Sequence, residues 1–429
     1  MRSRGRHRRR RRGRALRAFL TGTALALTAA ATMISASQAT VTAGPGALKP
    51  LTSSAALDRL TLREELQPQR SLDRLASAMG RPVGVDTVLA DADRTLRDSA
   101  DCTPAEREAL PAEPTATRAY CWDADDTRTW QPGAVTTSGD ADDDGHWGTH
   151  RVILSGWSRH GSLARIAFVD ADDPARLSYT WVLLTVPVDG GRDYRALAST
   201  VTGMVWYQQK LLVTAGRAGA QALYVYDLRR IQRATADTPA VGRVRGGWSA
   251  HGYRYVMPAV GSYELTGGAC TARADSGTPC VAGIGLDRST APDSLVAAEA
   301  GAAGGDRSTR LWRYSFDGAR GGLLATGATG RADATQAYET KAGGTGGVLS
   351  YRSGWYLGGT ADEPDGHGTL WRQDTRGARA AHCGSDGSRR CWAGRPRSLS
   401  YWAETGEVWS QSGRTLFALP LASIDRALG

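Results

Sequence analysis

Residues 203–227 read GMVWYQQKLLVTAGRAGAQALYVYD, and this stretch decides the fold. It holds three short runs rich in Val, Leu, Trp and Tyr, which Gly and polar residues separate. Short apolar runs bounded by turn residues are typical of β-strands. The stretch therefore predicts three successive strands, the last of which ends in Asp227.

The same unit occurs five times along the chain, and in each copy a small-residue run precedes a pair of hydrophobic runs. The small-residue runs are 132–135, 202–207, 282–286, 346–351 and 398–402. The pairs are 152–155 with 164–170, 211–216 with 222–227, 295–298 with 310–317, 355–359 with 369–374, and 408–411 with 415–419. Further runs at 179–186, 253–265 and 323–328 can supply fourth strands. Such self-similarity is the sequence signature of a repeat architecture.

Five units of three or four strands predict an all-β fold, a five-bladed β-propeller. The small-residue strand suits the crowded hub of such a fold, and Trp and Tyr suit the wedge between blades. Two alternatives stay open. The run 253–265 could found a sixth blade, or the strands could form a stacked β-sandwich pair.

The segment before residue 101 has a different pattern. Residues 44–54 are rich in Pro, Gly and Ser, which is typical of a linker. Leu72, Leu75, Ala76 and Met79 follow the i, i+3, i+4, i+7 spacing of a helix. We therefore divide the chain into residues 40–100, a linker with a short α-helical N-terminal arm, and residues 101–429, the β-propeller domain.

The first 39 residues predict a secretory signal peptide. Ten Arg occur within residues 1–17, and residues 18–34 are apolar and uncharged. Small-x-small patterns predict cleavage after Ala39 or after Ala43. An uncleaved anchor helix is the alternative, although the apolar run is at the short limit for a membrane span. We expect a secreted, extracellular protein with no membrane span in the mature chain.

The charge distribution argues against nucleic acid as a partner. The net charge of +10 comes from 53 Lys and Arg against 43 Asp and Glu. The ten Arg of residues 1–17 account for this excess, so the mature chain is close to neutral. Without a basic excess, nucleic acid binding is not expected. The partner is then an unknown extracellular ligand, either a glycan or a protein.

Six Cys, all after residue 100, fall into three pairs that are close in sequence. An even number of Cys downstream of an export signal predicts disulfides. We favour the local pairing because short loops close most easily. The absence of a CxxC pair argues against a metal site. The predicted disulfides are Cys102–Cys121, Cys270–Cys280 and Cys383–Cys391.

Four segments resemble a family of actinobacterial secreted β-propeller proteins: WQP at 130–132, GMVWY at 203–207, LDRST at 286–290 and LSYW at 399–402. The resemblance spans residues 122–420 and implies a propeller fold and export, but no activity. Two segments depart from the family pattern. Residues 133–134 are Gly-Ala where the family has Gln-Gly, and residues 200–203 are TVTG where it has a His followed by small residues.

Asp140, Asp142 and Asp144, followed by Gly145, have the spacing that begins a calcium-binding loop. In such a loop the carboxylate oxygens converge on the ion because Gly lets the chain turn back. The residues that would close the loop, 148 and 151, are Gly and Arg and cannot supply a carboxylate. Two interpretations therefore stay open, a weak Ca²⁺ site and a solvated acidic turn.

Several strands end in an aspartate: Asp170, Asp227, Asp317 and Asp374. A pair of carboxylates could serve glycoside hydrolysis. However, Asp after a strand commonly accepts hydrogen bonds from the turn that follows. Because catalysis needs two carboxylates and not one in each repeat, we favour the turn interpretation. Neither G-x-S-x-G nor a phosphate-binding P-loop occurs.

The starts of the inner strands are predicted to form the mouth of the central channel. The residues there, Gln131, Thr202, Thr345 and Arg397, are the candidate ligand-binding residues. We expect a secreted, non-catalytic binding protein that uses a propeller face or the central channel for an extracellular ligand or partner. The alternative is an extracellular polysaccharide hydrolase or lyase with its site at the hub.

Overall fold

Antiparallel β-strands dominate the computed structural model. It describes residues 44–429 except 215–220, 271–276, 302–307, 343–344, 364–365 and 386, and only the backbone of Gln221 and Thr345. The predicted signal peptide, residues 1–39, and both predicted cleavage sites lie outside the described residues. Residues 46–429 form one compact unit.

Within the described ranges, five antiparallel meanders of four strands each follow one another along the chain. The first comprises Gln131–Thr137, Val152–Arg159, Leu163–Asp170 and Ser178–Val188. The second comprises Met204–Tyr207, Lys210–Thr214, Gln221–Asp227 and Tyr255–Leu265. The third comprises Val281–Asp287, Ser294–Glu299, Thr309–Asp317 and Gln336–Thr340. The fourth comprises Thr345–Tyr351, Gly354–Gly359, Thr369–Gln373 and Ala378–Ala380. The fifth comprises Ser400–Trp402, Glu407–Ser412, Thr415–Pro420 and Arg118–Cys121. We call the first strand of each meander its inner strand.

The fourth strands differ most from the sequence prediction. The run predicted at 253–265 is the fourth strand of the second meander, as Tyr255–Leu265. The run predicted at 323–328 gives only the short strand Leu323–Leu324, because the chain turns at Gly327 and Gly330 directly afterwards. The longer fourth strand of the third meander is Gln336–Thr340.

The fifth meander joins the two ends of the described chain. Its fourth strand, Arg118–Cys121, comes from the N-terminal part and pairs with Thr415–Pro420 near the C-terminus. This pairing closes the series of meanders, because a strand from before the first meander completes the last one. The sequence pattern did not predict this strand.

The inner strands contact one another in succession. Hydrogen bonds join the inner strand of the first meander to both of its neighbours. The amide of Ala134 donates to the carbonyl of Val201 at 2.9 Å, which joins the first meander to the second. The amide of Val135 donates to Ser398 Oγ at 2.6 Å, which joins the first meander to the fifth. The inner strand of the first meander therefore lies between those of the second and the fifth.

The other contacts between inner strands depend on glycine. A Cβ added to Gly285 would lie 2.2 Å from the carbonyl oxygen of Val348, closer than any real side chain approaches. A glycine lies against the backbone of the next meander at all three of these junctions, with Cβ distances of 2.2–3.0 Å. The pairs are Gly203 with Ile284, Gly285 with Val348, and Gly347 with Ser398. The five inner strands thus form a ring whose spacing leaves no room for side chains at these positions.

The segment predicted as a helical arm contains the helices Ser54–Asp58, Gln69–Met79 and Val85–Ala90. Leu72, Leu75 and Met79 are buried, as the helical spacing predicted. The segment is not wholly helical, however, because short strands in it pair with fourth strands of the meanders. These are Lys49–Pro50 on the third, Leu62–Leu66 on the second, Arg94–Thr95 on the first and Arg97–Asp98 on the fifth. The segment supplies partners to backbone groups that a bare sheet edge would leave unpaired.

The remaining elements are short. The other helices are Pro104–Glu108, Ala124–Thr127, Ser138–Ala141 and Leu421–Ala427, with 3₁₀ turns at Leu228–Arg230 and Gly318–Arg320. The other strands are Asp193–Ala196, Gln232–Arg233, Val241–Val244, Gly247–Ala250 and Arg331–Ala332. None of the helices in the described part of the chain has the length and apolar character needed to cross a membrane.

All three predicted disulfides are present: Cys102–Cys121, Cys270–Cys280 and Cys383–Cys391. The first ties the end of the closing strand, Arg118–Cys121, to the segment before it. Ten of the 13 Trp are buried.

The close approach at Gly285 gives a stability test. Gly285→Ala should lower the free energy of unfolding by about 1–3 kcal/mol, because the added Cβ overlaps a carbonyl oxygen in the backbone of the next meander. Urea unfolding of both proteins measures the difference. Gly377→Ala is the matched control, since a Cβ there meets nothing within 4 Å, and it should change stability by less than about 0.5 kcal/mol. Equal stability of the two variants would contradict the tight ring.

Candidate functional site at the ends of the hub

The four predicted mouth residues lie at the starts of inner strands, with different exposure. Gln131 is exposed and begins the inner strand of the first meander. Thr202 is half-buried, and its hydroxyl lies 3.0 Å from that of Thr214. The backbone of Thr345 begins the inner strand of the fourth meander. Arg397 is half-buried just before the inner strand of the fifth.

Contacts between neighbouring strands show which of these residues come together. Because Ala134 bonds to Val201 and Val135 bonds to Ser398, Thr202 and Arg397 flank the same point of one inner strand. Gln131 lies three residues further out along that strand.

Thr345 belongs to the same end of the hub. A Cβ added to its neighbour Gly346 would lie 2.1 Å from the carbonyl oxygen of Pro396. The backbone at residue 345 therefore runs beside that of Arg397. We call this end, with Gln131, Thr202, Thr345 and Arg397, the mouth.

Arg397 is the unusual residue of the mouth. Among the described residues no carboxylate lies within 4.0 Å of its guanidinium. Its buried Nε has no acceptor, a feature that it shares with the ion-paired Arg313. Burial, followed by repulsion from the nearby charge of Arg395, lowers the pKa of Arg397. A cation that is partly withdrawn from water normally has an acidic partner. Arg397 therefore creates a positive site that lacks a counter-charge within the described chain.

The other buried cations of the meanders show the usual arrangement. Each lies within salt-bridge distance of an acid on a neighbouring strand or turn. The pairs are Arg313 with Asp287 at 3.0 Å, Arg310 with Glu299 at 2.6 Å and Lys210 with Asp227 at 2.8 Å. This contrast makes Arg397 a candidate for binding an anion rather than a structural ion pair.

A buried carboxyl group, that of Asp140, lies at the opposite end of the hub. The helical turn Ser138–Ala141 directs Asp140 inward, where its Oδ2 accepts hydrogen bonds from Thr136 Oγ1 at 2.6 Å and Ser400 Oγ at 2.7 Å. Burial raises the pKa of Asp140, and the two hydroxyl donors oppose that rise. Arg288, which the sequence did not single out as a site residue, donates to the Asp140 carbonyl at 2.7 Å. Asp140 thus joins the first and fifth meanders.

The predicted calcium ligands are not brought together. Asp142 and Asp144 accept hydrogen bonds from the amides of Asp143 and His146, while Asp140 points into the hub. Where the structure describes side chains, three or more ligand atoms come within 4.8 Å of one another only in two other groups. These are Cys102 with Glu106 and Cys121, a group that contains a disulfide, and His150 with Asp170 and Asp172.

Gly145, the glycine of this motif, has a role in packing. Gly145 has φ of +79°, and a Cβ on it would lie 2.6 Å from Trp402 Nε1. The sequence motif therefore encodes a turn that packs against Trp402, which agrees with the acidic-turn interpretation.

The aspartates that end the meander strands cap turns. Each accepts a hydrogen bond from the amide two residues further along. The pairs are Asp170 with Asp172, Asp227 with Arg229, Asp317 with Ala319 and Asp374 with Arg376. This confirms the turn interpretation over a ring of catalytic carboxylates.

The environment of His150 raises the pKa of its imidazole. A hydrogen bond from its Nδ1 to Asp172 Oδ2, 2.7 Å away, favours the protonated ring. The amide of Arg151 also donates to Asp172, at 2.6 Å. Both carboxylate oxygens of Asp172 therefore already have hydrogen-bond partners in its own hairpin.

Known proteins resemble this chain only weakly. No protein-family model and no curated protein matches the chain. A gluconolactonase from Xanthomonas campestris is 12% identical over 80% of this chain and 98% of its own, with a TM-score of 0.26. Drosophila plexin A, solved with semaphorin 1b, is 9% identical over 89% of this chain and 88% of its own, with a TM-score of 0.25. At these TM-scores neither likeness supports an inference about this protein.

The buried carboxyl group gives a pH test. A carboxyl in the unfolded chain has a pKa of about 3.9, and the pKa of Asp140 is higher in the folded state. Folding is therefore favoured by its protonation, and stability declines as the pH rises from the unfolded value through the raised folded one. Asp140→Asn keeps an acceptor for Thr136 and Ser400 and removes this decline.

Urea unfolding of the wild type and of Asp140→Asn at several pH values measures the effect. The stability of the variant relative to the wild type should increase with pH across this window and then level off. A difference that is independent of pH, or that falls, would show that the folded state does not raise the pKa of Asp140.

Proposed function

We propose that the five meanders are the blades of a five-bladed β-propeller, that the protein is exported, and that it binds an acidic extracellular glycan at the mouth without catalysis. The ring of inner strands and the completion of the last meander by Arg118–Cys121 support the propeller arrangement. In such a fold the mouth is the entrance to the hub, where side chains from several blades meet.

Three disulfides support the export part of the proposal. Disulfides persist in oxidising compartments and are rare in the cytosol. The predicted signal peptide supports the same conclusion, as does the resemblance to actinobacterial secreted propellers, to which we propose the chain belongs.

The observation that carries the binding proposal is the guanidinium of Arg397, which is half-buried and without an acidic partner in the described structure. An incoming carboxylate would supply the missing counter-charge and could bond to two of its N–H groups. A uronic acid unit, which carries one carboxylate on a sugar ring, meets this requirement.

The hydrolase or lyase alternative has weaker support. The buried carboxyl at the hub, Asp140, already accepts from Thr136 and Ser400, so it is closed off from a substrate. The strand-end aspartates are occupied by turn amides. Binding without chemistry is therefore the function that the described residues support best.

A comparison of acidic and neutral glycans tests the proposal. Oligogalacturonate should bind the mature chain with an affinity that falls as salt is added, whereas a neutral maltooligosaccharide should not bind at the mouth. Arg397→Gln should weaken oligogalacturonate binding by about tenfold to a hundredfold, the usual effect of losing a charge-assisted hydrogen bond. Isothermal titration calorimetry measures both affinities.

Arg81→Gln is the matched control, since Arg81 is exposed and its near neighbour Val83 pairs with Ile231, at the end of the second meander away from Thr202. It should bind like the wild type. Equal loss in both variants, or no binding of oligogalacturonate to the wild type, would refute the proposal.

A further inference from the structure

Five exposed Arg lie on elements that pack beside the fourth strands of the first two meanders. The elements are the helix Gln69–Met79, the turn that follows Ser178–Val188, and the hairpin of Val241–Val244 and Gly247–Ala250. We call this surface the basic edge, and its residues are Arg70, Arg74, Arg192, Arg243 and Arg245.

Contacts between these elements bring the five residues to one surface. Arg74 Nη1 donates to the carbonyl of Gly190 at 2.9 Å, which joins the helix to the turn. The amide of Arg243 donates to Asp193 Oδ1 at 2.8 Å, which joins the hairpin to the same turn. Arg192 lies between the two acceptors in sequence. The remaining two Arg extend the surface, one at a position a helical turn before Arg74 and the other at the hairpin tip.

The basic edge carries more positive charge than its acids balance. In the described part of the chain no carboxylate lies within 4.0 Å of any of its five guanidinium groups. Asp193 already accepts the amides of Tyr194 and Arg243, and Asp73 on the same helix lies 3.6 Å from Arg230. Asp189 is then the exposed acid of the turn. Because the mature chain is close to neutral, this local excess favours an anionic partner.

An exposed apolar side chain lies beside the basic edge in the chain. Leu66 is 47% exposed, and it is the one large apolar residue of the described structure that is exposed. It ends the strand Leu62–Leu66, directly before the helix that carries Arg70. Surfaces that bind membranes combine such features, because cations attract anionic headgroups while an apolar side chain enters the acyl boundary.

We propose that the basic edge binds the surface of an anionic membrane, with the five Arg on lipid phosphates and Leu66 inserted between headgroups. A soluble polyanion would use the same guanidinium groups but would leave Leu66 in water, so the exposed Leu favours a lipid surface. The contact is peripheral, and it is independent of the acidic-glycan site at Arg397.

Sedimentation of the mature protein with lipid vesicles tests the proposal. The protein should bind vesicles of equal parts phosphatidylglycerol and phosphatidylcholine, less so as salt is added, and should not bind phosphatidylcholine alone. The double variant Arg243→Gln, Arg245→Gln should weaken binding by about tenfold or more, because each Arg near an anionic surface adds to the attraction. Leu66→Gln should weaken it by about threefold to tenfold through the lost apolar contact.

The matched control is the double variant Arg176→Gln, Arg352→Gln, which removes the same charge from exposed positions. Arg176 precedes the start of Ser178–Val188, at the opposite end of that strand from the basic edge, and Arg352 belongs to the fourth meander. This control and Arg397→Gln should both bind vesicles like the wild type, so failure here and failure of the proposed function are distinguishable.

Two results would overturn the membrane proposal outright. One is the absence of binding to the phosphatidylglycerol vesicles, and the other is an equal loss in the two double variants. A third result would assign the basic edge to a soluble polyanion instead: Leu66→Gln binds like the wild type, and a polyphosphate chain binds with the same dependence on Arg243 and Arg245.

Discussion

The structure depends on how closely the five inner strands approach one another. At three junctions a glycine faces the backbone of the next meander, and at the other two a main-chain amide bonds across the gap. Interiors are close-packed, so one added methyl group at such a contact forces the backbone apart. The small-residue runs that mark each repeat in the sequence are therefore a direct consequence of this spacing.

The same crowding shapes the two ends of the hub. Hydroxyl side chains lie at both ends, those of Thr202 and Thr214 at the mouth and those of Thr136 and Ser400 opposite it. At one end Thr136 and Ser400 hold the buried Asp140. At the other, Arg397 has no counter-charge among the residues that the structure describes. The two ends of the hub thus differ in charge. The carboxyl group of Asp140 has its hydrogen-bond partners within the chain, whereas the guanidinium of Arg397 is open to an anion.

Sequence patterns predicted what depends on local residues. Short apolar runs gave the strand pairs, Cys spacing gave the disulfides, and the strand starts located Arg397. The closing strand Arg118–Cys121 escaped prediction because its partner is nearly 300 residues away and no local pattern names it. The spacing of the calcium motif alone could not distinguish ligands from turn caps, and the packing of Gly145 against Trp402 became visible only in the structure. The lack of an acidic partner at Arg397 in the described structure and the contact between Tyr120 and Trp409 both depend on tertiary packing. Local sequence patterns therefore could not predict them.

The first and last meanders meet at the hub, and a designed disulfide between them tests this contact most directly. Thr137 Oγ1 and Ser400 Oγ, on the inner strands of those two meanders, are 3.2 Å apart although 263 residues separate them in sequence. In the double variant Thr137→Cys, Ser400→Cys, mild oxidation of the folded protein should link the two thiols, as seen by mass spectrometry of the digested chain. Two thiols that stay free and separately reactive in the folded protein would contradict the closed ring.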